Sequence, residues 1–319
     1  MTNLAFVFPG QGSQSIGMLS ELAELYPSIS ETFQTVSDCM GYDLWQLTQN
    51  GPEAALNQTE NTQVAMLTAD VAVFKVLQQA GLPKGSYMAG HSLGEYAALV
   101  CANAISLTDA AKLVGIRGRL MQETIPLGQG AMAAIVGLSD EEVTKICSRA
   151  STETELVTPA NFNAIGQVVI AGHAPAIERA VALADEEGAR MAKVIPVSVP
   201  CHCSLLVNAA NRFEEYLAVA NFKEPDVAVI SNVDLSIYQS PEQIRRLLKE
   251  QLYKPVRWVE TIQLIQSKGV QWIVECGPGK VLGGLVKRID KSLSTISVHD
   301  NSSLEQALSQ FTAREGCCH

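Results

Sequence analysis

The first 74 residues of this 319-residue chain contain no lysine or arginine, and their eight acidic residues give them a charge of −8. Over the whole chain 23 Lys and Arg face 33 Asp and Glu, a net charge of −10. This excludes nucleic acid as the main partner, because phosphate binding needs clustered cationic charge. Long apolar runs are missing too. Stretches such as Ala131 to Val136 fall far short of the roughly 20 residues that a membrane span requires. The start, Met1-Thr2-Asn3-Leu4, lacks the cationic region that opens a signal peptide, so neither a targeting segment nor a membrane partner is expected. The eight cysteines, at 39, 101, 147, 201, 203, 276, 317 and 318, show no framework spacing. They read as reduced thiols of a cytoplasmic protein and exclude a disulfide scaffold. With 47% hydrophobic and 18% charged residues and only 13 prolines against 23 glycines, collagenous, low-complexity and disordered classes are excluded as well. The length suggests about two domains, or one domain carrying an insertion.

What is there begins with Leu4 to Phe8, an apolar run stopped by Pro9-Gly10, which predicts a buried parallel strand followed by the loop Gly10-Gln11-Gly12. Helical spacing follows over 17–26, 30–40 and 62–80, the last with Val64, Leu67, Val71, Phe74 and Leu77 on one face. Tyr87 to Gly90 predicts a short strand that turns at His91-Ser92-Leu93-Gly94 into a helix ending near Asn103. After Pro126-Leu127-Gly128 the order becomes strand (131–136), helix (140–150, capped by Ser139), strand (155–161), strand (167–171), helix (175–187) and strand (191–197). That βαββαβ order is the ferredoxin-like split motif. The predicted fold is therefore α/β: a parallel-sheet core made of 1–127 and 198–319, with an inserted ferredoxin-like subdomain at 128–197. Helices and strands near 205–220, 227–231, 241–252, 259–268 and 272–275 complete the core.

Gly90-His91-Ser92-Leu93-Gly94 has the Gly-x-Ser-x-Gly form of a nucleophile elbow, in which small flanking residues let a sharp strand-to-helix turn expose the serine hydroxyl. The helix that follows offers the Leu93 amide to a developing oxyanion. A serine needs a base. His91 is its sequence neighbour, and on a tight elbow neighbouring side chains diverge, which points His91 to packing or hydrogen bonding behind the nucleophile. His202 stands where the chain returns from the insertion, a position that faces a cleft, and is the preferred base. Zinc is disfavoured in Cys201-His202-Cys203, because on an extended strand the thiols point away from the imidazole and no second ligand cluster follows; no metal and no tightly held cofactor is expected. Gly10-Gln11-Gly12 and Gly277-Pro278-Gly279-Lys280 lack the remaining parts of nucleotide loops. Arg117 borders the helical face formed by Leu113, Ile116 and Leu120. Spacing alone leaves open whether it holds a substrate carboxylate or a helix salt bridge.

Together, Phe6 to Gln14, Thr62-Gln63, Gly90 to Tyr96, Arg117-Gly118, Gly130-Ala131-Met132, Asn161-Phe162-Asn163, Val199 to His202, Gln251-Leu252, Pro255-Val256 and Glu275 to Leu282 resemble the bacterial malonyl-CoA:acyl carrier protein transacylases over nearly the whole chain. The resemblance implies a malonyl-serine intermediate on Ser92 with His202 as base, and an oxyanion hole from Gln11 and the Leu93 amide. It further implies a backbone carbonyl at Gln251 orienting His202, Arg117 binding the malonyl carboxylate, and Gln63, Asn161 and His91 lining the acyl and pantetheine path. It implies an acidic, phosphopantetheinylated acyl carrier protein and malonyl-CoA as partners, and a monomer. From Arg245 to Lys291 ten basic and four acidic residues give +6, so this segment, with Lys280 and Lys287, is a candidate carrier-docking surface. Three rivals stand beside this reading. A trans-acting acyltransferase of a polyketide or polyunsaturated fatty acid synthase shares the chemistry. A serine thioesterase requires a carboxylate on His202, and a non-catalytic binding module has no use for Ser92 and His202.

Overall fold

The computed structural model describes residues 3–126, 128–197 and 199–312. Cys317, Cys318 and His319, the tail from Ala313, and the boundary residues Leu127 and Ser198 lie outside the described residues. Nine strands are present among them: β1 (Leu4–Phe8), β2 (Tyr87–Gly90), β3 (Gly130–Val136), β4 (Val157–Ala164), β5 (Gln167–His173), β6 (Met191–Ile195), β7 (Ala228–Ile230), β8 (Trp272–Cys276) and β9 (Ser294–Val298).

They form two sheets. The first has the order β7-β2-β1-β8-β9 with every pair parallel. β1 is central, and its five residues are all buried. Phe6 and Phe8 join a cluster with Val64, Leu67 and Phe74 of the helix Thr59–Gln79, while Ala5 and Val7 join one with Trp258 and Ile262 of the helix Trp258–Ser267. The two-residue period of a strand thus loads both faces of the sheet with apolar side chains, each large one worth about 1.5–3 kcal/mol on burial.

The second sheet is antiparallel, in the order β4-β5-β3-β6. Its two helices, Asp140–Ala150 and Ala174–Glu186, pack on one face through Ile135, Ile146, Ile170 and Ile177. The first begins with a capping box between Ser139 and Glu142. The alternate residues Met132, Val169 and Ala171 turn to the opposite face, toward Cys203. The two-sheet α/β architecture is thus the expected one. The strand predicted to stop at Asn161 continues to Ala164, because Phe162 N–H donates to the Val256 carbonyl at 3.0 Å and Val256 N–H to that of Ala160 at 2.8 Å. This seam ties the second sheet to the core. Among the described residues no helix is long and apolar enough to cross a membrane.

Candidate active site

Three segments meet at the carboxyl ends of the parallel strands: the loop Gly10-Gln11-Gly12 after β1, the turn His91-Ser92-Leu93 after β2 and Ser231-Asn232 after β7. Open parallel sheets bind ligands at this edge. Glycines build the turn. A Cβ on Gly90 would lie 1.8 Å from the Gly94 carbonyl carbon, and one on Gly94 would lie 2.0 Å from the Phe8 carbonyl oxygen. With no side chain between strand and helix, the chain reverses sharply and Ser92 takes φ 53°. Asn232 braces it: Oδ1 accepts the Ser92 N–H at 2.8 Å and Nδ2 donates to the Gly90 carbonyl at 2.7 Å.

His202 also has a positive φ, 60°, so two strained non-glycine residues face each other, as functional sites often require. Ser92 Oγ lies 2.7 Å from His202 Nε2, and His202 Nδ1 lies 2.7 Å from the Gln251 backbone carbonyl. A carbonyl oxygen only accepts, so Nδ1 carries the proton and Nε2 accepts from the serine hydroxyl. Burial, with the Arg117 charge second, pushes the imidazole down to about 3. It is therefore neutral at pH 7, ready to take a proton.

Arg117 lies on the buried face of the helix Leu107–Thr124 rather than at its border, with 1% of its surface exposed, whereas Ile116 is partly exposed. Gly118 explains the offset: a Cβ there would lie 2.6 Å from Glu60 Cα, so this side of the helix packs directly on backbone. The guanidinium donates to Gln63 Oε1 at 2.9 Å, to Gln251 Oε1 at 3.0 Å and more weakly to Ser92 Oγ at 3.4 Å, and it lies over the Tyr96 ring. Its Nε–H has no partner, and among the described residues no carboxylate pairs with it. A buried cation held only by neutral acceptors is costly unless an anion arrives.

These groups line a cavity of about 230 Å³, together with Met132, Val169, Ile195 and Val197 from the second sheet and its return, the half-exposed Val281 and the buried Leu285. Gln11, Gln63, His91, Asn161 and Cys201 also line it. His91 Nε2 meets Asn163 Oδ1 at 2.7 Å and its ring packs edge-on against Trp258, so it bridges both sheets. Among the described residues the backbone N–H groups of Leu93 and Gln11 make no hydrogen bond. A base, a hydroxyl, two free amides and an unpaired guanidinium around one cavity suit acyl transfer from a substrate with its own carboxylate.

Comparison with known proteins agrees. The acyl transferase domain family matches residues 5–303. The malonyl CoA-acyl carrier protein transacylase of Salmonella typhimurium is 50% identical over 310 residues, covering 97% of this chain and 100% of that one. That of Bacillus subtilis is 42% identical over 308 residues, covering 97% of each. The chain belongs to the malonyl CoA-acyl carrier protein transacylases. The solved transacylase of Coxiella burnetii superposes with a TM-score of 0.95 at 48% identity, covering 98% of both chains. A malonyl-transacylase in complex with a type II PKS acyl-carrier protein superposes with a TM-score of 0.95 at 49% identity, covering 96% of this chain and 99% of that one.

Within this transacylase, sequence reasoning missed the residues behind the site. Glu95 is fully buried and accepts from the Tyr238 hydroxyl, from Gln251 Nε2 at 2.6 Å and from Asn232 N–H at 3.3 Å. Burial pushes its carboxyl up to about 7 against the pull of those donors and of Arg117. Glu95 stands in the quoted elbow segment, but its partners are more than 130 residues away; of these, Gln251 was expected for its backbone carbonyl alone, and Asn232 stands directly after a strand of the parallel sheet. The basic segment is also less free than its count implies. Arg245, Arg246, Lys249, Lys254 and Arg257 pair with Glu242, Glu250, Glu214 and Glu260. Lys280 and Lys287 are exposed and make no ion pair among the described residues. They flank the cavity-lining stretch Val281–Leu285.

Proposed function

We propose that this chain moves the malonyl group from malonyl-CoA to the phosphopantetheine thiol of an acyl carrier protein, with Ser92 as the nucleophile. His202 Nε2 takes the Ser92 proton as Oγ attacks the thioester carbonyl, and the oxyanion is received by the Leu93 and Gln11 N–H groups, a donor of this kind being worth roughly 3–4 kcal/mol. Collapse breaks the carbon–sulfur bond. The CoA sulfur leaves with the proton from His202, and malonyl-Ser92 remains. The carrier's thiol then gives its proton to His202 and attacks the ester, and Ser92 Oγ recovers a proton as it leaves. Kinetics are ping-pong.

The observation that carries this reading is Arg117, buried beside Ser92 with no carboxylate of its own; the malonyl carboxylate completes it. Gln63 holds the guanidinium, and Asn161 and His91 line the approach. A thioesterase of the hydrolase type has a carboxylate on its histidine, whereas the His202 Nδ1 partner is the Gln251 carbonyl. A polyketide carrier protein is the second reading of the acceptor, favoured by the likeness to the transacylase solved with one. Residues 128–197 form an inserted ferredoxin-like subdomain on the core made of 1–127 and 198–319, a reading supported by the antiparallel sheet β4-β5-β3-β6 within that span. One chain supplies the whole site, consistent with a monomer. A cytoplasmic location is supported by the six described cysteines, all free.

Intact-mass spectrometry after mixing with malonyl-CoA or acetyl-CoA tests the proposal. Wild type gains a malonyl adduct that pantetheinylated carrier protein removes. Ser92→Ala gains none, and Arg117→Ala loses malonyl preference by ~100-fold or more, the range expected when a buried ion pair to substrate is deleted. Free malonate without an adduct favours the hydrolase, and neither adduct nor turnover favours the binding module.

A further inference from the structure

We propose that Glu95 is a positioning residue for acyl specificity: it locks the side-chain amide of Gln251 in the one orientation that presents its oxygen to Arg117. The inference rests on the reading of Arg117 as the malonyl carboxylate's partner.

The amide of Gln251 has a donor end and an acceptor end, and both are engaged. Nε2 donates to Glu95 Oε2 at 2.6 Å and to the Ser92 carbonyl at 3.0 Å, while Oε1 accepts from Arg117 at 3.0 Å. Rotating the amide by half a turn would set its oxygen against Glu95 Oε2 and the Ser92 carbonyl, and its NH2 against the guanidinium. Every contact would then be acceptor on acceptor or donor on donor. Glu95 supplies the stricter half of that lock, because it is fully buried and Oε2 already accepts from two N–H donors, Gln251 Nε2 and Asn232 N–H, while the Tyr238 hydroxyl engages Oε1. The Asn232 N–H on Oε2 fixes the carboxyl in turn, and Asn232 is the side chain that braces the elbow.

Interposing Gln251 keeps the Glu95 carboxyl and the guanidinium apart. Glu95 and Arg117 make no direct ion pair among the described residues. A carboxylate touching the guanidinium would compete with the substrate's carboxylate for the same donors, whereas a neutral amide oxygen orients the guanidinium without neutralising it. Gln251 also provides the backbone carbonyl that holds His202. Glu95 therefore stands one residue behind both the base and the specificity arginine, without touching substrate.

The test compares kcat/KM for malonyl-CoA with that for acetyl-CoA in acyl loading. In Glu95→Ala the amide loses one of the two acceptors on its donor end and is held less firmly, and the malonyl-to-acetyl ratio falls by ~10-fold or more, chiefly through a higher KM for malonyl-CoA. In Glu95→Gln the ratio returns to within ~2-fold of wild type, since the new side chain can keep its oxygen on Gln251 and Asn232 and turn its NH2 to the Tyr238 oxygen. If Glu95→Ala does not fold, Tyr238→Phe, which removes one donor from the carboxyl, lowers the same ratio by ~2- to 3-fold. An unchanged ratio, or equal losses for both donors as a general weakening of the fold gives, overturns the inference. A wild-type enzyme that forms no Ser92-dependent malonyl adduct overturns the proposed function, and this inference with it.

Discussion

In the proposed reaction His202 has two opposed tasks: to be neutral when substrate arrives and to accept a proton moments later. Its burial and the Arg117 charge both disfavour the imidazolium, while the Gln251 carbonyl on Nδ1 favours it. On the proposed reading of Arg117, a bound malonyl carboxylate cancels its charge and so raises the proton affinity of Nε2 only when the right acyl group is in place. The sign of the pH dependence follows. In the free enzyme the folded value, about 3, lies below the ordinary 6.5, so kcat/KM for malonyl loading keeps its full value from about pH 8 down past pH 6. In the malonyl complex the value is higher, so the acid limb of kcat lies at higher pH than that of kcat/KM. Acetyl-CoA carries no carboxylate, and its two limbs coincide more closely. Rapid-quench profiles with both donors check this, and identical limbs for malonyl-CoA would show that Arg117 and His202 are not coupled through the substrate.

At the scale of elements, the elbow joins β2 to the helix Gly94–Cys101 by removing side chains. Gly94→Ala would force a Cβ to 2.0 Å from the Phe8 carbonyl, which must push β1 and the helix apart. A loss of about 3 kcal/mol is expected from this overpacking, together with loss of loading as Ser92 shifts from His202, read by denaturant unfolding and adduct formation side by side. Full stability with full activity would mean the turn tolerates a wider angle. This element was legible in sequence because its constraint is local: glycines at fixed offsets around one serine. The βαββαβ unit was legible for the same reason, since Met132 against Ala133 and Val169 against Ile170 alternate within single strands. The brace made by Glu95, Asn232 and Tyr238 was not, because its hydrogen bonds span more than 130 residues and each of its members has an ordinary surface-residue identity. Arg117 lay between. Its helix was readable, but its burial depends on Gly118 meeting the backbone of Glu60, which only the packed structure reveals.

At the scale of the molecule, the charge distribution decides what approaches the cavity. The chain is acidic overall, so an acidic carrier protein is repelled by most of its surface and must find a local exception. The segment from Arg245 to Lys291 looked like that exception in sequence, but its first half is neutralised by pairs such as Arg257 with Glu260 and Lys249 with Glu214. Sequence counts charges without seeing which are paired, and Glu214 lies outside the counted segment altogether. Lys280 is the N-cap of the helix Val281–Ile289 and Lys287 lies in its last turn, and Val281 of this helix is half exposed and lines the cavity. On the proposed docking surface a carrier protein delivers its phosphopantetheine arm to Ser92 past this helix. Combined Lys280→Glu and Lys287→Glu substitution should raise KM for the carrier protein by ~10-fold at low salt. The gap should close as the Debye length shrinks to about 3 Å near 1 M salt. Steady-state transfer assays across a salt series measure both quantities. An unchanged KM with an unchanged salt slope would move the docking surface elsewhere on the molecule.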